Sequence, residues 1–205
     1  QRDGDELVVA YELASGRPRW SHADPARYDN VVAGLGPRAT PTVAEGRVFA
    51  QGATGVLNAL DLRTGRPLWS HQVIAENGAS PPTWGKSTSP LVQGGRVIVS
   101  AGGPDGRSLV AYEARSGEPV WAGGNDRGSY SSPHFTTLGG VPQILLLRGA
   151  GVHAVAPADG TLLWEHAWPG VGAMLQPALT ADGGVLISTN DMSGGVGTRR
   201  LAVAN

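Results

Sequence analysis

Apolar and polar positions alternate along this chain in short runs separated by glycine-rich turns. The clearest pair of runs lies around Ala59 to Trp69, ALDLRTGRPLW. Leu57 to Leu62 reads as one strand, Arg63-Thr64-Gly65 as a three-residue loop, and Arg66 to His71 as the returning strand. A common three-residue hairpin loop is a type I turn followed by one left-handed residue, where glycine pays no Cβ penalty. Folding about Thr64 places Ala59 opposite Trp69 and Leu60 opposite Leu68. Alanine and tryptophan then share one face and the leucines share the other. Both faces are apolar, so neighbouring sheets are expected to cover both. The pattern recurs at 10–20, 111–121 and 154–164, and a fifth copy is expected to begin near Leu201. Gly16, Gly65, Gly117 and Gly160 stand four residues before Trp20, Trp69, Trp121 and Trp164. Pro18, Pro67 and Pro119 fall within the returning strands. Proline in a strand points to a sheet edge.

A second hairpin precedes each of the first: TPTVAEGRVFAQG from Thr40, SPLVQGGRVIVSAG from Ser89, SPHFTTLGGVPQILLLRG from Ser132 and QPALTADGGVLISTN from Gln176. The module is therefore four antiparallel strands, A to D. Its alanines stand 49, 52 and 43 residues apart. Four strands per repeat of that length predict an all-β fold, a β-propeller of four-stranded antiparallel blades. Residues 1–205 read as one partial propeller, an incomplete ring of about four blades. The D–A connections around residues 22 to 39 and 72 to 88 are long, and long loops on a rigid scaffold are where binding tends to reside.

Composition narrows the function classes. The net charge is −1 and the charges are scattered, so no stripe suggests nucleic acid. No apolar run is long enough for a membrane span. Cysteine is absent, which excludes disulfides and thiolate metal sites. The basic residues are arginines with one exception, Lys86.

Two glycine motifs lead nowhere. Trp84-Gly85-Lys86-Ser87 is similar to the end of a phosphate-binding loop, but Ser80 stands where the loop needs glycine, and Pro90 and a strand follow. Gly149 to Ala154 fits a dinucleotide fingerprint but runs into a repeat hairpin, which leaves no helix for a pyrophosphate. It reads as a B–C turn. His22, His71 and His166 stand two residues after a repeat tryptophan and read as structural, as do His134 and His153.

The repeats resemble the pyrroloquinoline-quinone (PQQ)-type β-propeller repeat, whose tryptophan-docking motif joins Ala, an acidic residue, Thr-Gly and a closing Trp. The best copy is Ala59, Asp61, Thr64-Gly65 and Trp69; the fourth departs, with Ala156 in the acidic place and Asp159 in place of Thr. The resemblance implies that each tryptophan packs between its own blade and the next, and so is largely buried. It also brings three functional types. The first is a non-enzymatic BamB-like binding or scaffold propeller of the bacterial cell envelope or periplasm. The second is a quinoprotein dehydrogenase using PQQ and calcium, and the third is the sensor propeller of a signalling protein.

The leading expectation is the first: no catalysis, no cofactor, and a protein partner or small ligand on the rim. An open arc also exposes apolar blade faces suited to self-association. Arg38, Lys86, Ser87 and Tyr130 lie just ahead of strand A and are expected to face the central channel, with Trp84 beside them. Asp126, Arg127, Asn190 and Asp191 lie in rim loops, where a dehydrogenase needs a carboxylate base and oxygen ligands for calcium.

Overall fold

A computed structural model describes residues 1–124, 128–168, 174–189 and 197–203. Strands β1 (Glu6–Tyr11) and β2 (Pro18–Asp24) pair as a two-stranded sheet. A small hairpin, β3 (Asp29–Asn30) and β4 (Gly34–Leu35), sits in the first long connection. Next come β5 (Thr42–Ala44), β6 (Arg47–Gln51), β7 (Val56–Asp61) and β8 (Pro67–Gln72), which form a four-stranded sheet in that order. One helical turn, α1 (Val73–Glu76), leads to β9 (Leu91–Gln93), β10 (Arg96–Ser100), β11 (Leu109–Glu113) and β12 (Pro119–Gly123), a second such sheet. The third contains β13 (His134–Leu138), β14 (Val141–Arg148), β15 (Gly151–Val155) and β16 (Leu162–Ala167). The last described sheet holds β17 (Ala178–Leu179), β18 (Val185–Thr189) and β19 (Gly197–Leu201). The last described strand, β19, reaches Leu201, where the fifth copy is expected to begin. All pairings are antiparallel, as expected for propeller blades. Each full sheet supplies strands A to D, and the strands that open on proline, such as β8 and β12, are edges.

Successive sheets stack face to face because a strand's side chains alternate. Phe49, Leu57 and Ala59 pack on Val97, Val99, Val110 and Tyr112 of the next sheet. Ile98, Leu109 and Ala111, pointing the other way, pack on Ile144, Leu146 and Val155. Leu145, Leu147, Val152 and Ala154 then meet Val185, Ile187 and Leu201. On the inner side the strand A starts are tied together. The Thr40 N–H donates to Ser89 Oγ at 2.9 Å, and the Ser89 N–H to Ser132 Oγ at 2.9 Å. Gln176 Nε2 donates to the Pro133 carbonyl at 3.1 Å.

The C–D hairpins hold the predicted alanine–tryptophan pairs, Ala10 opposite Trp20, Ala59 opposite Trp69, Ala111 opposite Trp121 and Ala154 opposite Trp164. Beyond these pairs the register differs from the expected one. Leu60 faces Pro67, not Leu68, across a bulge. The cause is the loop, which has four residues, not three. Gly65 N–H donates to Asp61 O at 2.8 Å, and Asp61 N–H to Arg66 O at 2.9 Å. The same two bonds recur at Gly16, Gly117 and Gly160. Leu60 is therefore fully buried, while Leu68 is turned outward. All four glycines have positive φ, from 67° at Gly16 to 80° at Gly117.

The repeat acid earns its place in this loop. Asp61 Oδ1 accepts from Thr64 Oγ1 at 2.7 Å, Thr64 N–H at 2.8 Å and Arg63 N–H at 3.2 Å. The Thr64 hydroxyl, then its N–H, hold the Asp61 carboxyl below the usual range. In the divergent fourth copy Asp159 Oδ1 accepts from the Thr161 N–H at 2.9 Å instead, which anchors the turn from its other side.

The tryptophans are half-buried, short of the burial expected, because each lies on an outermost strand. Three reach the next sheet's hairpin. Indole N–H groups donate from Trp20 to Leu62 O (3.0 Å), from Trp69 to Ala114 O (3.1 Å) and from Trp121 to Pro157 O (3.2 Å). Trp164 turns to Gln143 Oε1 at 2.6 Å within its own sheet. A Cβ on Gly65 would lie 2.4 Å from Trp20, on Gly117 2.8 Å from Trp69, and on Gly160 2.5 Å from Trp121. His71 adds a bond across the same seam as Trp69, donating from Nε2 to Gly117 O at 2.7 Å while stacked on Tyr112 at 4.2 Å.

These contacts separate two glycine effects. Gly16→Ala meets open space and should cost only the left-handed penalty, about 1–2 kcal/mol. Gly65→Ala carries that penalty and must also displace the Trp20 ring, so its loss should be clearly larger. Urea unfolding of both variants checks this, and equal losses would remove the ring contact from the account. Trp69→Ala should cost about 3 kcal/mol, the low end for a large aromatic, since the ring is half-buried. An unchanged melting temperature would show that Trp69 does not hold its seam.

Candidate functional site on the rim of the long connections

The D–A connections from 25 to 41 and from 73 to 90 meet on one rim. The first is stiffened from within. Asn30 Oδ1 accepts from the Val32 and Ala33 N–H groups at 2.9 and 3.0 Å, a side-chain turn. Arg38 folds back on the same loop. It donates to the carbonyls of Gly36 (2.9 Å), Gly34 (3.1 Å) and Ala33, and lies 5.4 Å from the Tyr28 ring centre. Three of its five donors are thus spent on local carbonyls.

The two connections lock together at Thr83, whose carbonyl accepts from Tyr28 Oη at 2.9 Å and Asn30 Nδ2 at 3.0 Å. The Tyr28 ring lies where a Cβ of Gly85 would stand, 2.9 Å from that position, and Gly85 has φ +75°. Only glycine satisfies both demands. The third connection joins through Tyr130, which accepts from the Trp84 N–H at 3.2 Å while the two rings lie 5.3 Å apart. Arg38, Trp84 and Tyr130 are therefore parts of one continuous surface. Beside it Val31, Val32 and Leu35 project into solvent. Ser87 is half-buried in the same loop. Asp126, Arg127, Asn190 and Asp191 lie outside the described residues.

Lys86 lies beneath this surface, not in open solvent. Its backbone N–H donates to Ala53 O at 2.8 Å, and the residue is 1% exposed. Among the described residues no hydrogen bond or ion pair reaches its ammonium. Burial alone lowers its pKa to about 8. Glu6 holds the other backbone group of Ala53, its N–H. Its carboxylate accepts from the Ala53 N–H at 3.1 and 3.2 Å, and burial raises its pKa. Glu6 borders a cavity of about 260 Å³ shared with Asp24, Gln51 and Asn58. Asn58 Nδ2 donates to Asp24 Oδ2 at 2.6 Å.

The other histidines have local roles. His22 Nε2 is 3.1 Å from Asp24, and His71 Nδ1 is 2.8 Å from Glu76. His153 is buried with its pKa pushed down to about 4, by desolvation first and Arg148 second. Gly149 and Ala150 form the turn between β14 and β15, the B–C position read from the sequence.

Sequence reasoning missed Tyr28, Asn30 and Thr83, which build the rim. The available signal was the Trp84-Gly85 pair, a glycine needing an aromatic above it, but nothing local says which residue supplies the ring.

Residues 4–172 match the family model described as outer membrane protein assembly factor BamB. The chain belongs to this family. It is similar in structure to BamB from Moraxella catarrhalis, with 17% identity and a TM-score of 0.58 over 97% of this chain and 56% of that one. The computationally designed Ika8 protein is also similar, at 14% identity and a TM-score of 0.61 over 98% of this chain and 57% of that one. A third likeness is to the quinohemoprotein alcohol dehydrogenase of Comamonas testosteroni, at 16% identity and a TM-score of 0.56 over 97% and 40% of the respective chains. The BamB-family chain thus spans little more than half the length of the first two. At these identities the likenesses are of fold. No curated protein matches the sequence.

Among the described residues no three His, Cys, Asp or Glu side chains converge, and the Arg38 guanidinium is engaged by carbonyls of its own loop. No described helix is long and apolar enough to cross a membrane.

The buried amine gives a pH signature. The folded pKa of Lys86 is about 8 and the unfolded value about 10.4, so below pH 8 both states hold the proton and the burial penalty is constant. Between these values the unfolded chain binds more protons, so stability should rise with pH, by about 3 kcal/mol in all. Urea unfolding at pH 7, 9 and 10 tests this against Lys86→Met. The difference between the two proteins should change with pH, and a constant difference would exclude a buried, unpaired amine.

Proposed function

We propose that this BamB-family chain is a non-catalytic binding module of the bacterial cell envelope that holds a protein partner on its D–A rim. The observation that carries this reading is the rigid display of Val31, Val32 and Leu35. Their loop is fixed by Asn30, Arg38 and Tyr28, yet their side chains face water. A flexible loop would fold such side chains away. A stiff one keeps them out, which lowers the entropy lost when a partner covers them. Trp84 and Tyr130 extend the surface with aromatic area, the side chains that dominate protein interfaces. The tryptophans Trp20, Trp69 and Trp121 have a supporting role in this reading. They dock each sheet on the next hairpin, and so keep the three connections in register. The envelope location rests on the family's description.

Photo-crosslinking in envelope fractions tests the proposal. A photoreactive residue at Val32 should give a discrete adduct with one protein, reduced by Trp84→Ala, while one at Ser116 on a C–D turn should not. Identical adducts from both positions would sink the rim assignment. Added PQQ and calcium should give neither binding heat nor dye-linked dehydrogenase turnover. Stoichiometric binding with turnover would replace this reading with a quinoprotein one.

A further inference from the structure

Fifteen of the sixteen basic residues are arginine, and the one lysine is buried without a side-chain partner among the described residues. A buried ammonium without a counter-ion or acceptor is costly, so its position needs an explanation. Structural duty does not supply one, because the described structure gives its three donors nothing to hold. The side chain is not sealed off, however. The fully enclosed polar atoms that lack a partner include Gln51 Nε2 and Thr54 Oγ1 but not Lys86 Nζ, so the ammonium tip keeps the residue's residual contact with solvent.

The neighbouring orphans have the same character. Lys86 is bonded to Ala53, and Thr88 Oγ1 lies 3.4 Å from Gln51 Oε1, so segments 51–54 and 86–88 are stitched at two points. These two segments contribute an ammonium, an amide NH₂ and a hydroxyl that no acceptor meets. Such a surplus of donors in two joined segments, one of them a cation, is the complement of an oxyanion, whose lone pairs accept from such groups. Glu6, the carboxylate tied to the same residue, is already bonded to the Ala53 N–H, and among the described residues no charged group acts on Lys86.

We propose that Lys86 anchors an oxyanion-binding site beneath the D–A rim, with Gln51 and Thr54 as the flanking donors, taking a carboxylate or phosphate group. The proposal rests on the rim reading above and specifies its ligand chemistry: what docks there brings an acidic group. Lysine suits the place better than arginine, since a slender stem can be buried and a point charge can meet either oxyanion.

The single lysine makes the test selective. Isotope-labelled lysine gives one side-chain signal, to be titrated at low ionic strength with succinate in one arm and inorganic phosphate in the other. At least one arm should shift it saturably and raise the melting temperature. Lys86→Met should bind that anion at least about tenfold more weakly. In anion-free buffer the same variant should be more stable than wild type, since it removes an unpaired charge. No saturable shift in either arm overturns the proposal, and so does an equal rise in melting temperature in Lys86→Met. A less stable variant in anion-free buffer would overturn it too, by making the amine structural. If the variant does not fold, the wild-type titration decides by itself. None of these readings uses a partner, so the crosslinking result at Val32 stands or falls separately.

Discussion

An indole ring occupying the space where a Cβ would stand is the contact on which this arrangement depends. At Gly65, Gly117 and Gly160 the tryptophan of one sheet presses on the hairpin of the next. The glycine is needed twice over, once by its left-handed backbone and once by the approaching ring. Alanine opposite each tryptophan leaves room for the ring's root. The acid and threonine of the turn spend their polar atoms on the loop backbone. Tryptophan, glycine and alanine thus share one task, which is why these three recur together in all four copies.

The rim inherits its order from those seams. The long connections begin where the tryptophan-bearing strands end and finish at the hydroxyl ladder of Thr40, Ser89 and Ser132. Held at both ends, they meet at Thr83 and at the Trp84–Tyr130 pair. The apolar display of Val31, Val32 and Leu35 and the unpaired amine of Lys86 both lie within this braced region. Polar and apolar groups placed against their own stability preference are what the proposed binding role would explain.

Much of the fold was legible in the sequence because it repeats. Four copies of one spacing show which residues pair, and the alanine–tryptophan pairs follow directly. The loop length was misjudged by one residue, since period and spacing do not reveal that Asp61 bonds to both Gly65 and Arg66. That one residue moved Leu68 from the core to the surface. The rim was less legible, because its connections do not repeat. Arg38 and Lys86 read alike, as cations ahead of strand A. In the structure Arg38 is absorbed by its own loop, while Lys86 is enclosed with its charge unanswered. Which of these happens depends on carbonyls and on a tyrosine ring more than fifty residues away in sequence from the glycine it covers.

The hydroxyl ladder has a direction. At the Thr40–Ser89 and Ser89–Ser132 seams the earlier sheet offers a backbone N–H and the later one a hydroxyl, and the indole bonds of Trp20 and Trp69 point the same way. The two ends of any stack of such sheets are therefore different surfaces, one a plug and the other a socket. Two like ends cannot form this contact with each other. Growth by this contact is head to tail, in whole modules, with one hand of rotation. Evolution can lengthen or shorten such an array by duplicating or deleting a complete repeat, and every seam so created is one the sequence already knows how to make.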